Sequence, residues 1–343
     1  MDGDLTVPFT LEEALDPRWL TRALAPLTGG AAITDVSVVE TLRTVATKTR
    51  FQVAWADGCA DLCLKGFLDM AGGRVGGKQA LSEHRFYRQV APALGLRIPS
   101  AVAIVIDEEA GQGITIMRDL VAQGARFGSA LDPVTPDEAA KTLEELARLH
   151  AHMHMLDALP WVGRTVSELA SWNIVTPERL QLLLEGPRGR NLSARTREAA
   201  KLIDGLNSLA ALTEALPSTL VHGDCHAGNI FWTADGPGLI DWQVVQRGHW
   251  ALDVAYQLCA VLPVDLAAAH EMHLLDHYLG AARVRGNDVP DRDAAHRQYR
   301  AGIIYGYYLW AITTRVDPAI TETFVDRLGQ AVERNGSYSA VGI

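Results

Sequence analysis

The stretch Val221-His222-Gly223-Asp224-Cys225-His226-Ala227-Gly228-Asn229-Ile230-Phe231 sets a carboxylate and a carboxamide five residues apart on a polar turn between two short apolar segments. A second acid, Asp241, closes another such segment in Leu239-Ile240-Asp241-Trp242-Gln243. Two carboxylates and one amide in this order suit phosphoryl transfer to a hydroxyl. One carboxylate accepts the hydroxyl proton, while the amide and the other carboxylate hold Mg2+ against nucleotide phosphates. Mg2+ takes few protein oxygens and keeps several waters, so one Asn and one Asp form a sufficient set of donors. A lone Asp on a turn is ordinarily a cap or an Asx turn, so it is the joint pattern that points to chemistry.

The elements that must position these groups follow from periodicity. Short β-rich runs fall at 33–39, 50–55, 61–67, 100–106 and 114–117, and Ala56-Asp57-Gly58-Cys59 reads as a hairpin turn. A helix is expected over 79–94, where Leu81, Phe86, Val90 and Leu94 recur at helical spacing. The glycine-rich patch at 71–77 before it reads as a mobile loop. Beyond Pro136 the periodicity is helical at 137–156, 194–216, 250–261, 266–282, 293–314 and 321–335. Short strands at 219–221, 230–232 and 238–240 form a β island inside that half. Thr135-Pro136-Asp137-Glu138 carries a cap, a first-turn proline and acids, the marks of a helix start.

His-Gly-Asp-x-x-x-x-Asn followed by Ile-Asp-Trp resembles the aminoglycoside phosphotransferase and choline kinase group, relatives of the protein kinases. Gln243 after Ile240-Asp241-Trp242, and Glu83-x-x-Phe86-Tyr87, are most similar to its ecdysteroid-kinase-like branch. The resemblance implies an α+β, bilobal, protein-kinase-like fold, with a nucleotide-binding lobe over 1–118 and a mainly helical lobe over 119–343. It implies ATP and Mg2+ as cofactors and the hydroxyl of a small molecule as acceptor. By it, Asp224 matches the catalytic base, and Asn229 and Asp241 match the Mg2+ ligands. Lys65 matches the lysine that contacts the α- and β-phosphates, and Glu83 matches its helix partner. His222 matches a support of the catalytic loop. Met117, within 114–120, matches the hinge whose backbone binds adenine. Gly248 and Asp253-Val254-Ala255 match a brace of the catalytic loop. The segment 40–49, which should cover the phosphates, has no glycine. Threonine hydroxyls, Thr47 among them, and Arg43 or Lys48 stand as replacement donors for the backbone N–H groups that glycine normally exposes.

Other features read more plainly. His150, His152 and His154 suggest a metal, but no Glu follows His150, and helix packing is the expected role. Cys225 beside Asp224 reads as a bystander. Tyr305, Tyr307, Tyr308 and Trp310 read first as core. As a second reading they wall the acceptor together with 242–250, which leans towards an apolar alcohol over a polycation. A pseudokinase acting as sensor or scaffold is favoured only by loss of a base or metal residue, and none is lost. Only eleven residues separate Asp241 from Asp253, little room for the activation segment of a protein kinase.

The 343 residues carry 31 Lys+Arg and 41 Asp+Glu, a net charge of −10. That balance speaks against a nucleic-acid partner, which calls for a basic face. No apolar run approaches the ~20 residues of a membrane span, and the acidic start Met1-Asp2-Gly3-Asp4 is unlike a signal peptide. A cytoplasmic protein is therefore expected, with its four scattered cysteines reduced and buried. No sequence feature bears on oligomeric state.

Overall fold

The computed structural model describes residues 5–43, 46–70, 77–132, 134–171 and 174–343. The patch at 71–76 and two residues of the 40–49 segment, Thr44 and Val45, lie outside them. The chain forms two compact units. One runs through Arg126 and takes in Asp241–Gln243; the other comprises Phe127–Ile240 and Val244–Ile343. The first unit thus extends past residue 118 and recruits three residues from far along the chain.

In the first unit β1 (Ile33–Arg43), β2 (Thr47–Trp55), β3 (Gly58–Gly66), β4 (Ala101–Asp107) and β5 (Gln112–Arg118) form an antiparallel sheet in the order β1-β2-β3-β5-β4. The expected hairpin joins β2 to β3, with Trp55 opposite Gly58. Successive residues of a strand face opposite sides. On one face Phe51, Leu62, Leu64, Ile114 and Ile116 bury against Leu20 and Leu24. These leucines come from the helical start of the chain, α1 (Leu11–Ala14), α2 (Pro17–Ala23) and α3 (Ala25–Thr28). Sequence reading passed over those helices, although Thr10 and Glu13 form a capping box and Asp16 caps a helix opening on Pro17. The other face carries Lys65, opposite Lys48 on β2 and Thr115 on β5.

The helix expected over 79–94 is α4 (Gly77–Arg85), a π turn (Phe86–Val90) and α5 (Ala91–Leu94). From α4, buried His84 bonds through Nδ1 to Thr115 Oγ1 at 2.7 Å. Burial, reinforced by the Lys65 and Arg88 charges, pushes its imidazole down from 6.5 to about 3. Between those values the unfolded chain binds a proton that the folded chain excludes. The stabilisation is complete above pH 6.5 and is lost as pH falls towards 3, by about 1.4 kcal/mol per pH unit. His84→Gln should flatten the pH dependence of unfolding free energy by about that slope, read by urea denaturation at pH 7, 6 and 5. Equal slopes in parent and variant would mean that folded His84 accepts the proton.

The second unit is mainly helical: α6 (Pro136–His150), α7 (Thr165–Ser171), α8 (Pro177–Glu185), α9 (Ala199–Glu214), α10 (Ala251–Val261), α11 (Val264–Val284), α12 (Arg292–Ile312), α13 (Pro318–Asn335) and α14 (Ser337–Ala340). Every residue of α10 is buried. The two glycines of α12 make a close crossing possible, since a Cβ on Gly302 would lie 2.4 Å from the Ala251 carbonyl oxygen. Thr135 and Glu138 form the capping box anticipated for α6. That helix stops at His150, short of the expected 156, and a 3-10 turn follows at Met153–Ala158. The β island consists of Thr219–Val221 paired with Gln246–Gly248, and Ile230–Thr233 paired with Gly236–Leu239.

No helix among the described residues is long and apolar enough to cross a membrane. All four cysteines are free. Cys225 and Cys259 are buried, but Cys59 is exposed and Cys63 half-buried, so the buried reading fails for those two.

Candidate active site

Alternation along β3 turns Lys65 away from the leucine core, and its ammonium is held from two sides. Glu83 Oε2 of α4 lies 2.5 Å from Nζ, and Asp241 Oδ1 lies 2.7 Å away. Lys48, the cross-strand neighbour, places Nζ 3.0 Å from Asp241 Oδ2. Each oxygen of the Asp241 carboxylate therefore meets one ammonium. Burial alone would raise that carboxyl, but the Lys65 and Lys48 charges overcome it and hold it far below the ordinary carboxylate range. Burial likewise works against the Lys65 charge, and Asp241 and Glu83 reverse it, so the side chain stays an ammonium. Asp241 has a φ of 67°, a left-handed backbone that a short polar side chain tolerates. Next to it Trp242 stacks on Phe86 with ring centroids 3.9 Å apart.

In the second unit the loop after Thr219–Val221 is pinned from below. The Asp253 carboxylate of α10 accepts the His222 N–H at 2.7 Å and the Gly223 N–H at 2.8 Å. His150 Nε2 lies 3.1 Å from the same carboxylate and is oriented by Tyr278 OH on Nδ1. Burial tends to raise the Asp253 carboxyl, but His150, His222 and the Gly223 N–H hold it below its ordinary value. Gly223 has a φ of 84°, and a Cβ there would lie 2.5 Å from the Val244 carbonyl oxygen, so no other residue fits. His222 Nδ1 accepts the Asp224 N–H at 3.1 Å, and Nε2 donates to the Ile240 carbonyl at 2.9 Å. A backbone N–H can only donate and a carbonyl only accept, which fixes the ring proton on Nε2.

Asp224 itself is held at both oxygens. Tyr256 OH donates to Oδ1 at 2.9 Å, and Asn229 Nδ2 donates to Oδ2 at 3.0 Å. Trp310 Nε1 donates in turn to Tyr256 OH at 2.6 Å. Burial, then the Asp224 charge, push the Tyr256 phenol well above its ordinary value, so it remains a donor. Sequence reading missed Tyr256. The available signal was its place on α10, one turn beyond Asp253.

The structure brings Lys65, Glu83 and Asp241 together in one unit, and Asp224, Asn229, His222 and Asp253 together in the other. It corrects other expectations. Thr47 is buried and its hydroxyl donates to the Leu68 carbonyl at 3.1 Å, because residue 47 faces the opposite side of β2 from Lys48. Thr41 and Thr49 share their hydroxyls at 3.2 Å, and Arg43 pairs with Asp69 at 2.9 Å. Met117 lies inside the sheet between Cys63 and Ala101. At the end of β5 and just beyond, the Arg118 and Asp119 N–H groups go to Ser100 and Asp61, and Leu120 is the next, with no partner for its N–H among the described residues. Trp242, Tyr305 and Tyr307 are fully buried, and Tyr308 and Trp310 nearly so, in keeping with the first reading of them as core. His150 is committed to Asp253 and Tyr278, and the described residues hold no three-residue cluster able to ligate a metal. Burial raises the Cys225 thiol well above its ordinary value, as befits a bystander.

Asn229 in the second unit and Asp241 in the first each offer oxygen, the donor that Mg2+, a hard cation, takes. Asn229 turns its NH2 group to Asp224, to both its carbonyl and its carboxylate. Its amide oxygen, opposite that NH2, accepts no hydrogen bond from the described residues. In the first unit Asp241 has a carboxylate kept ionised by its surroundings.

The sequence pattern of the phosphotransferase enzyme family matches residues 77–296. No protein of curated function matches the chain. Among solved structures, a choline/ethanolamine kinase family protein from Mesorhizobium loti is 15% identical, with a TM-score of 0.54, over 94% of this chain and 97% of its own. Choline kinase LicA from Streptococcus pneumoniae is 14% identical, with a TM-score of 0.50, over 93% and 98%. At these identities the likeness establishes the kinase-like α+β fold. The family match does not select the ecdysteroid-kinase-like branch.

Proposed function

The chain belongs to the phosphotransferase enzyme family, and we propose that it is an ATP-dependent small-molecule kinase, moving the terminal phosphoryl group of ATP to a hydroxyl of a small organic acceptor. The observation that carries this reading is Asp224, an ionisable side chain with both oxygens oriented by neutral donors, on a loop pinned by a buried carboxylate. A carboxylate so fixed accepts the acceptor's hydroxyl proton as the new O–P bond forms, without paying to reorganise. Lys65, clamped between Glu83 and Asp241, presents its ammonium to the α- and β-phosphates. The Leu120 N–H, rather than Met117, is the proposed donor to adenine.

Asn229 through its amide oxygen and Asp241 through its carboxylate are the proposed protein ligands of Mg2+, which when bound neutralises charge on the phosphates. The buried aromatic residues no longer select an apolar alcohol, so the acceptor screen spans plain alcohols, amino alcohols and aminoglycosides. Nucleotide consumption across that library, followed by mass detection of one added phosphate, tests the function. Mg2+–ATP should raise the melting temperature of the wild-type protein, and Lys65→Ala and Asp241→Ala should each abolish most of that rise. A rise that survives both substitutions would overturn the assignment.

A further inference from the structure

In the segment 40–49 the other side-chain donors outside Thr44 each have a partner inside the first unit. Arg43 is bound to Asp69, Thr47 to Leu68, and Thr41 and Thr49 to each other. Lys48 differs. Its single side-chain partner among the described residues is the Asp241 carboxylate, and the side chain is 29% exposed. Antiparallel register sets it directly opposite Lys65. Like charges in that position repel and are ordinarily disfavoured, so the pair is tolerable only with anionic oxygens between the two ammoniums.

We propose that Lys48 is a second phosphate-binding lysine, doing with a side chain what a glycine-rich loop does with backbone N–H groups, and that Asp241 competes with the nucleotide's phosphates for both lysines. The inference rests on the phosphotransferase reading and deepens it. Charge counting separates the two lysines. Lys65 also has the Glu83 carboxyl at 2.5 Å, whereas Lys48 has only Asp241. Of the four side chains, commitment of Asp241 to a metal leaves Lys48 as the one ammonium without an acidic partner among the described residues. It is therefore the group whose interaction with a polyphosphate is least offset inside the protein. A glycine-free loop loses little when that ammonium supplies a charge-assisted bond to phosphate oxygen, each stronger than a neutral N–H contact.

Calorimetric titration of the full chain with ATP, ADP and adenosine, in EDTA and again with Mg2+, tests this without reading turnover. Lys48→Met, which keeps the aliphatic stem, should weaken ATP and ADP binding by about 10–100-fold, the value of one charged hydrogen bond. It should leave adenosine affinity unchanged. Lys48→Arg should recover most of the lost affinity. Asp241→Asn, by removing the competitor, should tighten binding of metal-free ATP while losing the gain that Mg2+ gives the parent. Lys48→Met that binds ATP like the parent, while Lys65→Met does not, would overturn the role of Lys48 and leave the phosphotransferase reading standing. Metal-free ATP bound no more tightly after Asp241→Asn would overturn the competition. A wild-type protein that binds no nucleotide at all would overturn the underlying reading and this proposal with it.

Discussion

Asp224→Asn leaves a protein that folds and binds metal-free ATP like its parent but turns over about 10²–10⁴-fold more slowly, the usual loss for a positioned base. The new side chain has the same shape, and its oxygen can still accept the Tyr256 hydroxyl that now reaches Oδ1 at 2.9 Å. Its NH2 group cannot take a proton, and in that orientation it faces the Asn229 NH2 group, which now donates to Oδ2 at 3.0 Å. Either Asn229 turns its amide over or the new amide turns its NH2 to the Tyr256 hydroxyl, which can accept, while Lys65 and Lys48 on the first unit are untouched. The check is steady-state turnover of the acceptor found by screening, beside calorimetry of ATP in EDTA and a melting curve. Tyr256→Phe is the companion: it removes an orienting donor but no proton acceptor, and should cost far less rate. A variant at 224 that turns over like its parent would place the proton acceptor elsewhere.

The residues that bear charge were legible in the sequence because strand and helix periods constrain them. Lys65 sits in an apolar β run, Glu83 leads Phe86 and Tyr87 on a helix, and Asp241 ends a short strand. Each is a type that burial must pair, and the structure pairs Lys65 with both acids. What escaped depends on register and on contacts between distant segments. Thr47 and Lys48 are adjacent, and only the pairing of Lys48 with Lys65 decides which of them faces Asp241. Tyr256 lies on a helix buried on all sides, so no amphipathic stripe singles it out. The three N-terminal helices are too short to show periodicity, and the caps of the first two were the sole signal. α6 ends at His150, whose carbonyl accepts the Thr219 hydroxyl from 69 residues away in sequence.

Asp253 carries the largest expected effect on stability. Its carboxylate is fully buried and serves three donors at once: the His222 N–H and His150 Nε2 on Oδ2, and the Gly223 N–H on Oδ1. Asp253→Ala strands all three away from water, and removing one partner from such a buried network costs about 3–5 kcal/mol. Asp253→Asn keeps the shape but must turn an NH2 group towards at least one N–H, so a smaller loss of about 1–3 kcal/mol is expected. Because the carboxyl is held below its ordinary 3.8 in the folded protein, its stabilisation is complete above pH 4 and is lost as pH falls through the folded value. The gap between parent and Asp253→Asn in urea unfolding should therefore be full at pH 7 and close below pH 4. Turnover should fall in both variants even where they remain folded, since the same carboxylate fixes the two residues that precede Asp224. A gap that stays constant from pH 7 to pH 3 would mean that the carboxylate's charge contributes nothing to holding the loop. Full turnover in a folded Asp253→Asn protein would mean that the loop keeps Asp224 in place without it.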